Sequence, residues 1–261
     1  MKKIASLVAV ATLSMGSASA FANNCPLSHE QVQTALNTAT GADTAGGFRL
    51  DMWVTVVNRD GAVCAVAKSH GQLSTGTAGT SGGDPWPGSR AISAQKANTA
   101  NSYSNDINAF TSANLWAATQ PGGSLYGLQE SNPVDPRVSY RGDSSTYGSA
   151  QDPMNGLKVG GVNVFGGGVA LYNTDGEVMG ALGVSGDTSC ADHNIAWLTM
   201  EALHTIGRVN ATKTKAMHGV SGHGIIYDVS DTWGHPKCEG PTLPGNEDDQ
   251  AVIIGSGVLT R

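Results

Sequence analysis

The chain has 261 residues, 35 of them glycine, only 14% charged side chains and a formal net charge of −6. An acidic surface of this kind repels nucleic-acid phosphates and no basic cluster offsets it, which argues against a nucleic-acid partner. The length suits one large domain or two small ones with a real core, and so much glycine points to tight turns and close backbone packing.

The chain opens like a secretory signal. Lys2 and Lys3 precede an apolar run from Ile4 to Leu13, and Ala18-Ser19-Ala20 forms a small-residue cleavage site. Cleavage is expected after Ala20, with Ala22 as the next choice, leaving 13 basic against 21 acidic side chains, or −8. The run falls short of the ~18 residues of a membrane span, and no later run is long enough. Cys25 lacks the Leu-x-x-Cys context of a lipid anchor. The expectation is a signal peptide over 1–20 and a single domain over 21–261, periplasmic or secreted and not membrane-spanning. Cys25, Cys64, Cys190 and Cys238 form an even set for an oxidising compartment. They allow three pairings, of which Cys25–Cys64 with Cys190–Cys238 is preferred.

Ser28, Glu30, Val32 and Ala35-Leu36 predict a capped helix over 27–40, stopped at Gly41. His29 falls in its first turn and reads as exposed. Met52 to Val57 and Ala62 to Ala67 read as strands joined through Asp60-Gly61, a hairpin turn. Residues 71–89 read as loop. Ser89 to Tyr103 returns to helical spacing, with Ala91, Ala94, Ala97 and Ala100 forming a narrow smooth stripe. Residues 109–161 form an inserted loop, polar and proline-bearing, that is expected to be functional or to hide short elements. Val162 to Val164 and Val169 to Tyr172 read as strand broken by Gly166-Gly167-Gly168, and Val178 to Val184 completes a second hairpin. Asp187 to Ile206 is the strongest helix, and 208–261 is a tail that wraps the domain. The order α-ββ-α-ββ-α predicts an α+β fold, helices packed on an antiparallel sheet.

Candidate chemistry follows from a few side chains. Gly79 to Gly83 matches Gly-x-Ser-x-Gly but lacks the flanking strand and helix of a nucleophile elbow, so it reads as a turn. His193 and His204 are eleven residues apart on one helix, ~16 Å at 1.5 Å per residue, and cannot share a metal ion. His193, beside Asp192 and one turn before Trp197, either caps the helix or serves a site; His204 suits the helix C-terminus. His70 stands at a strand end where ligands often bind. His218 and His223, and His235 with Cys238, read as structural. Arg90 and Lys96 are cations set among alanines, which suits an anionic group on a flat apolar molecule.

Several of these segments resemble one family. Arg90-Ala91-Ile92-Ser93-Ala94-Gln95-Lys96-Ala97-Asn98-Thr99-Ala100 resembles the Lys-Ala-x-Thr-Ala helix of the GlcG/HbpS-like haem-binding proteins. Phe165 to Ala170 resembles their glycine-rich strand entry, and Gly180 to Gly186 with Asp192 resembles their Gly-Ala-Ile-Gly-Val-Ser-Gly and downstream Asp. Val56-Val57-Asn58-Arg59-Asp60-Gly61 is similar to their Val-Val-Asp-x-x-Gly, with Asn58 in place of Asp. The matches keep their order over 27–207. The resemblance implies a profilin- or PAS-like α/β sandwich with a central sheet of about five strands, assembly into homo-oligomers, and haem binding, in some members alongside a membrane sensor.

The leading expectation is therefore an exported haem- or tetrapyrrole-binding protein for haem handling or haem/redox sensing. The alanine stripe and Gly166, Gly167 and Gly168 would form a flat slot, with Thr99 on the same helix. His193 or His70 would ligate the iron, and Arg90 and Lys96 would meet the propionates. An alternative is an enzyme for a small organic molecule with Asp192 and His193 as acid and base near Tyr140, Arg141 and Asp143. A third reading is a non-catalytic oligomeric interaction module.

Overall fold

The computed structural model describes residues 24–41, 46–48, 50–69, 86–211 and 222–238. The signal segment, His70, the run at 79–83, His218 and residues 239–261 lie outside them. The elements are α1 (His29–Gly41), β1 (Trp53–Asn58), β2 (Val63–Lys68), α2 (Pro87–Tyr103), β3 (Gly168–Tyr172), β4 (Val178–Ser185) and α3 (Ser189–Thr205), with short helical turns between α2 and β3. Local chemistry sets the helix starts. Ser28 and Gln31 cap α1 reciprocally. Proline occupies the first turn of α2, and Thr188 accepts the Ala191 N–H at the start of α3. No described helix is long and apolar enough to cross a membrane.

The sheet is antiparallel throughout, in the order β2-β1-β4-β3. Among the described residues it has four strands rather than the expected five or so, because Val162–Val164 finds other partners. Val162 donates its N–H to Asn132 O and Asn163 to Thr99 Oγ1, so this stretch satisfies its backbone on the insert and α2. The first hairpin closes as its turn residues require. Gly61 takes a positive φ of 78°, and the Asn58 side chain accepts the Ala62 N–H, making the asparagine an effective turn former.

Both faces of the sheet are covered. Val54, Val56, Leu171, Leu182 and Val184 pack with α1 and α3, while Trp53, Val57, Val66 and Ala181 pack with the Ala94, Ala97 and Ala100 stripe of α2. Strands buried on both sides carry near-continuous apolar runs, which is why β1 shows no polar alternation.

The stripe lies directly on the sheet, so the flat slot expected between helix and glycine-broken strand does not exist. A Cβ at Gly183 would sit 2.1 Å from Ser93 O, and one at Gly168 would sit 2.4 Å from Lys96 O. The glycines admit the helix backbone itself, leaving no room for a guest.

The insert is a chain of single helical turns anchored by Arg90. That guanidinium donates to both carboxylate oxygens of Asp152, at 2.9 and 2.5 Å, and to Ser139 O at 2.6 Å, with the Tyr147 ring stacked at 3.6 Å. Disulfides join Cys25 to Cys64 and Cys190 to Cys238, the preferred pairing. The second ties the segment 222–238 to the start of α3.

Gly183→Ala should destabilise the fold by about 1–3 kcal/mol, because neither backbone can yield. Gly88→Ala, whose Cβ would meet nothing within 4 Å, should leave stability unchanged or raised. Urea unfolding midpoints of the two variants check the difference.

Candidate functional site

Helices α2 and α3 lie on opposite faces of the sheet and meet around the end of β4. There Lys96 Nζ donates to Asp192 Oδ2 at 2.6 Å and to Val184 O at 3.1 Å, and both side chains are almost wholly buried. Asp192 Oδ1 accepts the Asp187 N–H at 2.8 Å. The Asp187 carboxylate in turn accepts N–H groups from Phe48, Leu50 and Thr188. Burial lowers the Lys96 ammonium and lifts the Asp192 carboxyl to about 6, so the low polarity that strengthens this pair also disfavours its charges.

Above the pair opens a cleft of about 290 Å³, with Trp86, Ile92 and Phe165 as apolar walls and Lys96, Asp192 and Ser189 on its polar side. Trp86 and Phe165 remain 53% and 48% exposed, so two aromatic rings border the mouth. The volume is at the small end of ligand pockets, ~300–1,000 Å³.

The sequence-derived site residues disperse around this cleft. Lys96 and Asp192 reach it. Arg90 does not line it, since its donors are engaged by Asp152 and Ser139. Thr99 is buried, bonding Gln95 O and the Asn163 N–H. Gly166, Gly167 and Gly168 form a tight turn against α2 and α3. His193 lies behind that turn. Gly167 N–H donates to its Nδ1 at 3.2 Å, so Nε2 carries the proton and donates to His223 O at 2.7 Å. Both ring nitrogens are thus engaged. Tyr140, Arg141 and Asp143 stand exposed on the insert, and the hydrogen bonds of Asp192 and His193 go elsewhere. His204 bonds Val209 O at the C-terminal end of α3.

A haem site would need an axial donor. Among the described residues lining the cleft there is no His, Cys, Met or Tyr, and its one cation is already paired with Asp192. Trp86, Ile92 and Phe165 offer apolar surface, but the donor set of the described lining does not fit haem iron. No group of three or more metal-binding side chains occurs among the described residues.

Three residues outside the sequence-derived site stand out. Ser189, in the first turn of α3, lines the cleft, and its Oγ lies 2.8 Å from Nε2 of His235. His235 Nδ1 lies 2.7 Å from Pro236 O and therefore carries the proton. His223 is fully buried between Tyr172 and Trp197, and neither of its ring nitrogens has a hydrogen-bond partner among the described residues.

Burial lowers His193 to about 4, His223 to about 3 and His235 to about 4. Below pH ~6.5 the unfolded chain takes up protons that these rings refuse, so their contribution to stability is lost as pH falls toward 4. Asp192 acts with the opposite sign, its contribution being lost as pH rises from ~4 to 6, but it is one group against three. The unfolding free energy from urea titrations should therefore fall from about pH 6.5 to 4, at up to ~3 kcal/mol per pH unit, and His223→Leu should flatten the slope by about one proton.

The comparisons follow this architecture. No curated protein matches the chain. Among solved structures, the Klebsiella pneumoniae protein ORFY is 22% identical, with 67% of this chain and 86% of that one covered and a TM-score of 0.41. A PduOC:heme complex is 21% identical, with 71% and 94% covered and a TM-score of 0.45. Ybr137w is 14% identical, with 71% and 86% covered and a TM-score of 0.35. The family described as "Haem degrading protein HbpS-like" matches residues 27–201, from the turn before α1 to the last turn of α3, and the chain belongs to that family.

Proposed function

We propose that this protein binds haem or a related tetrapyrrole outside the cytoplasm, in haem handling or haem/redox sensing. The carrying observation is the cleft bordered by Trp86 and Phe165, which presents aromatic and aliphatic surface to solvent above a fixed polar floor. Flat apolar molecules gain most from such surface, because aromatic walls stack on their faces and exclude water. The family's description as haem-degrading favours a tetrapyrrole over other planar molecules. Two disulfides suit an oxidising compartment, and the signal-like start supplies the route there. Homo-oligomerisation and a membrane sensor partner belong to the same proposal, as the family resemblance implies.

Because the described lining includes no His, Cys, Met or Tyr, affinity rests on the porphyrin plane. Haemin and metal-free protoporphyrin should therefore bind with similar Kd, followed by their visible absorption and by tryptophan quenching. Phe165→Ala should weaken both about tenfold, equivalent to ~1.4 kcal/mol of lost aromatic contact. Absence of binding by either compound sinks the proposal. A strong preference for haemin that disappears in His193→Ala would replace this binding mode with an iron-ligated one.

A further inference from the structure

We propose that Ser189 and His235 form a nucleophile–base pair opening into the cleft, suited to accept the acyl group of a small uncharged aryl ester. Hydrogen-bond logic fixes the proton positions. Pro236 O can only accept, so His235 Nδ1 bears the hydrogen and Nε2 is the free base. The Ser189 hydroxyl consequently donates to Nε2, 2.8 Å away, while its oxygen accepts the Gly166 N–H at 2.7 Å. This is the arrangement of an activated serine: nucleophile, base, and a third group that orients the base. The carbonyl of Pro236 takes the orienting role.

The surroundings favour the chemistry. Ser189 is part-exposed on the cleft wall, whereas His235 is buried behind it with Trp116 and Tyr227 rings close by. Burial lowers the imidazole to about 4, so the ring is neutral at pH 7 with its Nε2 lone pair available, and is a weaker base than a free histidine. The N-terminal turn of α3 places positive partial charge beside Ser189, which favours negative charge developing on a bound carbonyl oxygen. Trp86 and Phe165 supply surface for an aryl leaving group. Lys96 is already neutralised by Asp192 and the Asp187 carboxylate also lines the cleft, so an anionic ester is disfavoured and an uncharged one suits it.

In the reaction Ser189 Oγ bonds to the ester carbonyl carbon as its proton passes to His235 Nε2. The carbon–oxygen bond to the aryl group then breaks, and His235 returns the proton to the departing phenoxide. Water attacks the resulting acyl-serine, giving one proton to His235, which restores it to Ser189 as the carboxylic acid leaves.

The proposal shares the cleft with porphyrin binding but not its ligand, so the test uses porphyrin-free protein with both disulfides intact. The probe is 4-nitrophenyl acetate, with nitrophenolate release followed by absorbance and the acetylated residue located by peptide mass mapping. Acetyl-Ser189 should form. Ser189→Ala should abolish it, His235→Gln should slow it by ~100-fold or more, and Ser189→Cys should carry the acetyl group as a thioester. Thermal unfolding of each variant separates lost chemistry from lost fold. Acetylation of a folded Ser189→Ala protein at the wild-type rate, or an adduct mapped only to other residues, overturns the proposal. Neither result bears on porphyrin affinity.

Discussion

The Lys96–Asp192 pair is the constraint on which the candidate site depends. An ammonium sealed under a helix is tolerated only beside an opposite charge and further acceptors, which Asp192 and Val184 O provide. Because α2 and α3 cover opposite faces of the sheet, the pair clasps both layers around the end of β4. Its influence spreads through hydrogen bonds: Asp192 holds the Asp187 backbone, and Asp187 collects the N–H groups of Phe48, Leu50 and Thr188. Removing one partner of such a pair typically costs ~3–5 kcal/mol, since the survivor is left buried and uncompensated. The floor of the cleft is therefore rigid, and ligand discrimination falls to its apolar walls.

The same physics explains which parts of the site were legible in the sequence. Arg90 and Lys96 stood out correctly as cations on a smooth helical stripe. Their partners, Asp152 and Asp192, lie 62 and 96 residues along the chain, and nothing in local spacing names them. A cation on a small-residue helix suits an anionic ligand equally well as a buried carboxylate; only the tertiary structure distinguishes them. The hairpins and long helices were readable because turn chemistry and periodicity are local. Val162–Val164 reads as strand in the sequence because an apolar triplet before glycines looks alike whether its backbone pairs with a neighbouring strand or with an insert. The alanine stripe was recognised as a surface for close approach, but what approaches it is the sheet.

Asp192 and His193 illustrate a second limit. Adjacent in sequence, they suggested an acid–base couple, yet successive helical residues point roughly 100° apart. One consequently turns to Lys96 and the cleft, the other to Gly167 and the carbonyl of His223. Conversely, Ser189 and His235 are 46 residues apart and converge because Cys190 and Cys238 flank them in a disulfide. That cross-link closes a span of 48 residues, for which chain entropy gives about 4 kcal/mol of stabilisation. The signal was present in the cysteine spacing, but it becomes informative only once one of the three pairings is chosen.

The extent of the family match divides the cleft into two chemical inheritances. Its apolar walls and the Lys96–Asp192 floor lie within residues 27–201, whereas His235 belongs to the segment beyond. Without that segment Ser189 would be an ordinary hydroxyl in the first turn of α3, backed by no base. The disulfide lays the segment against α3, and His235 meets the serine from behind while the cleft side stays open. Burying three histidines there exacts a cost in acid stability, because every ring held neutral inside resists protonation that the unfolded chain welcomes. His223, with both nitrogens unpartnered among the described residues, bears that cost with no hydrogen bond there to offset it, whereas the nitrogens of His235 meet Pro236 O and the Ser189 hydroxyl.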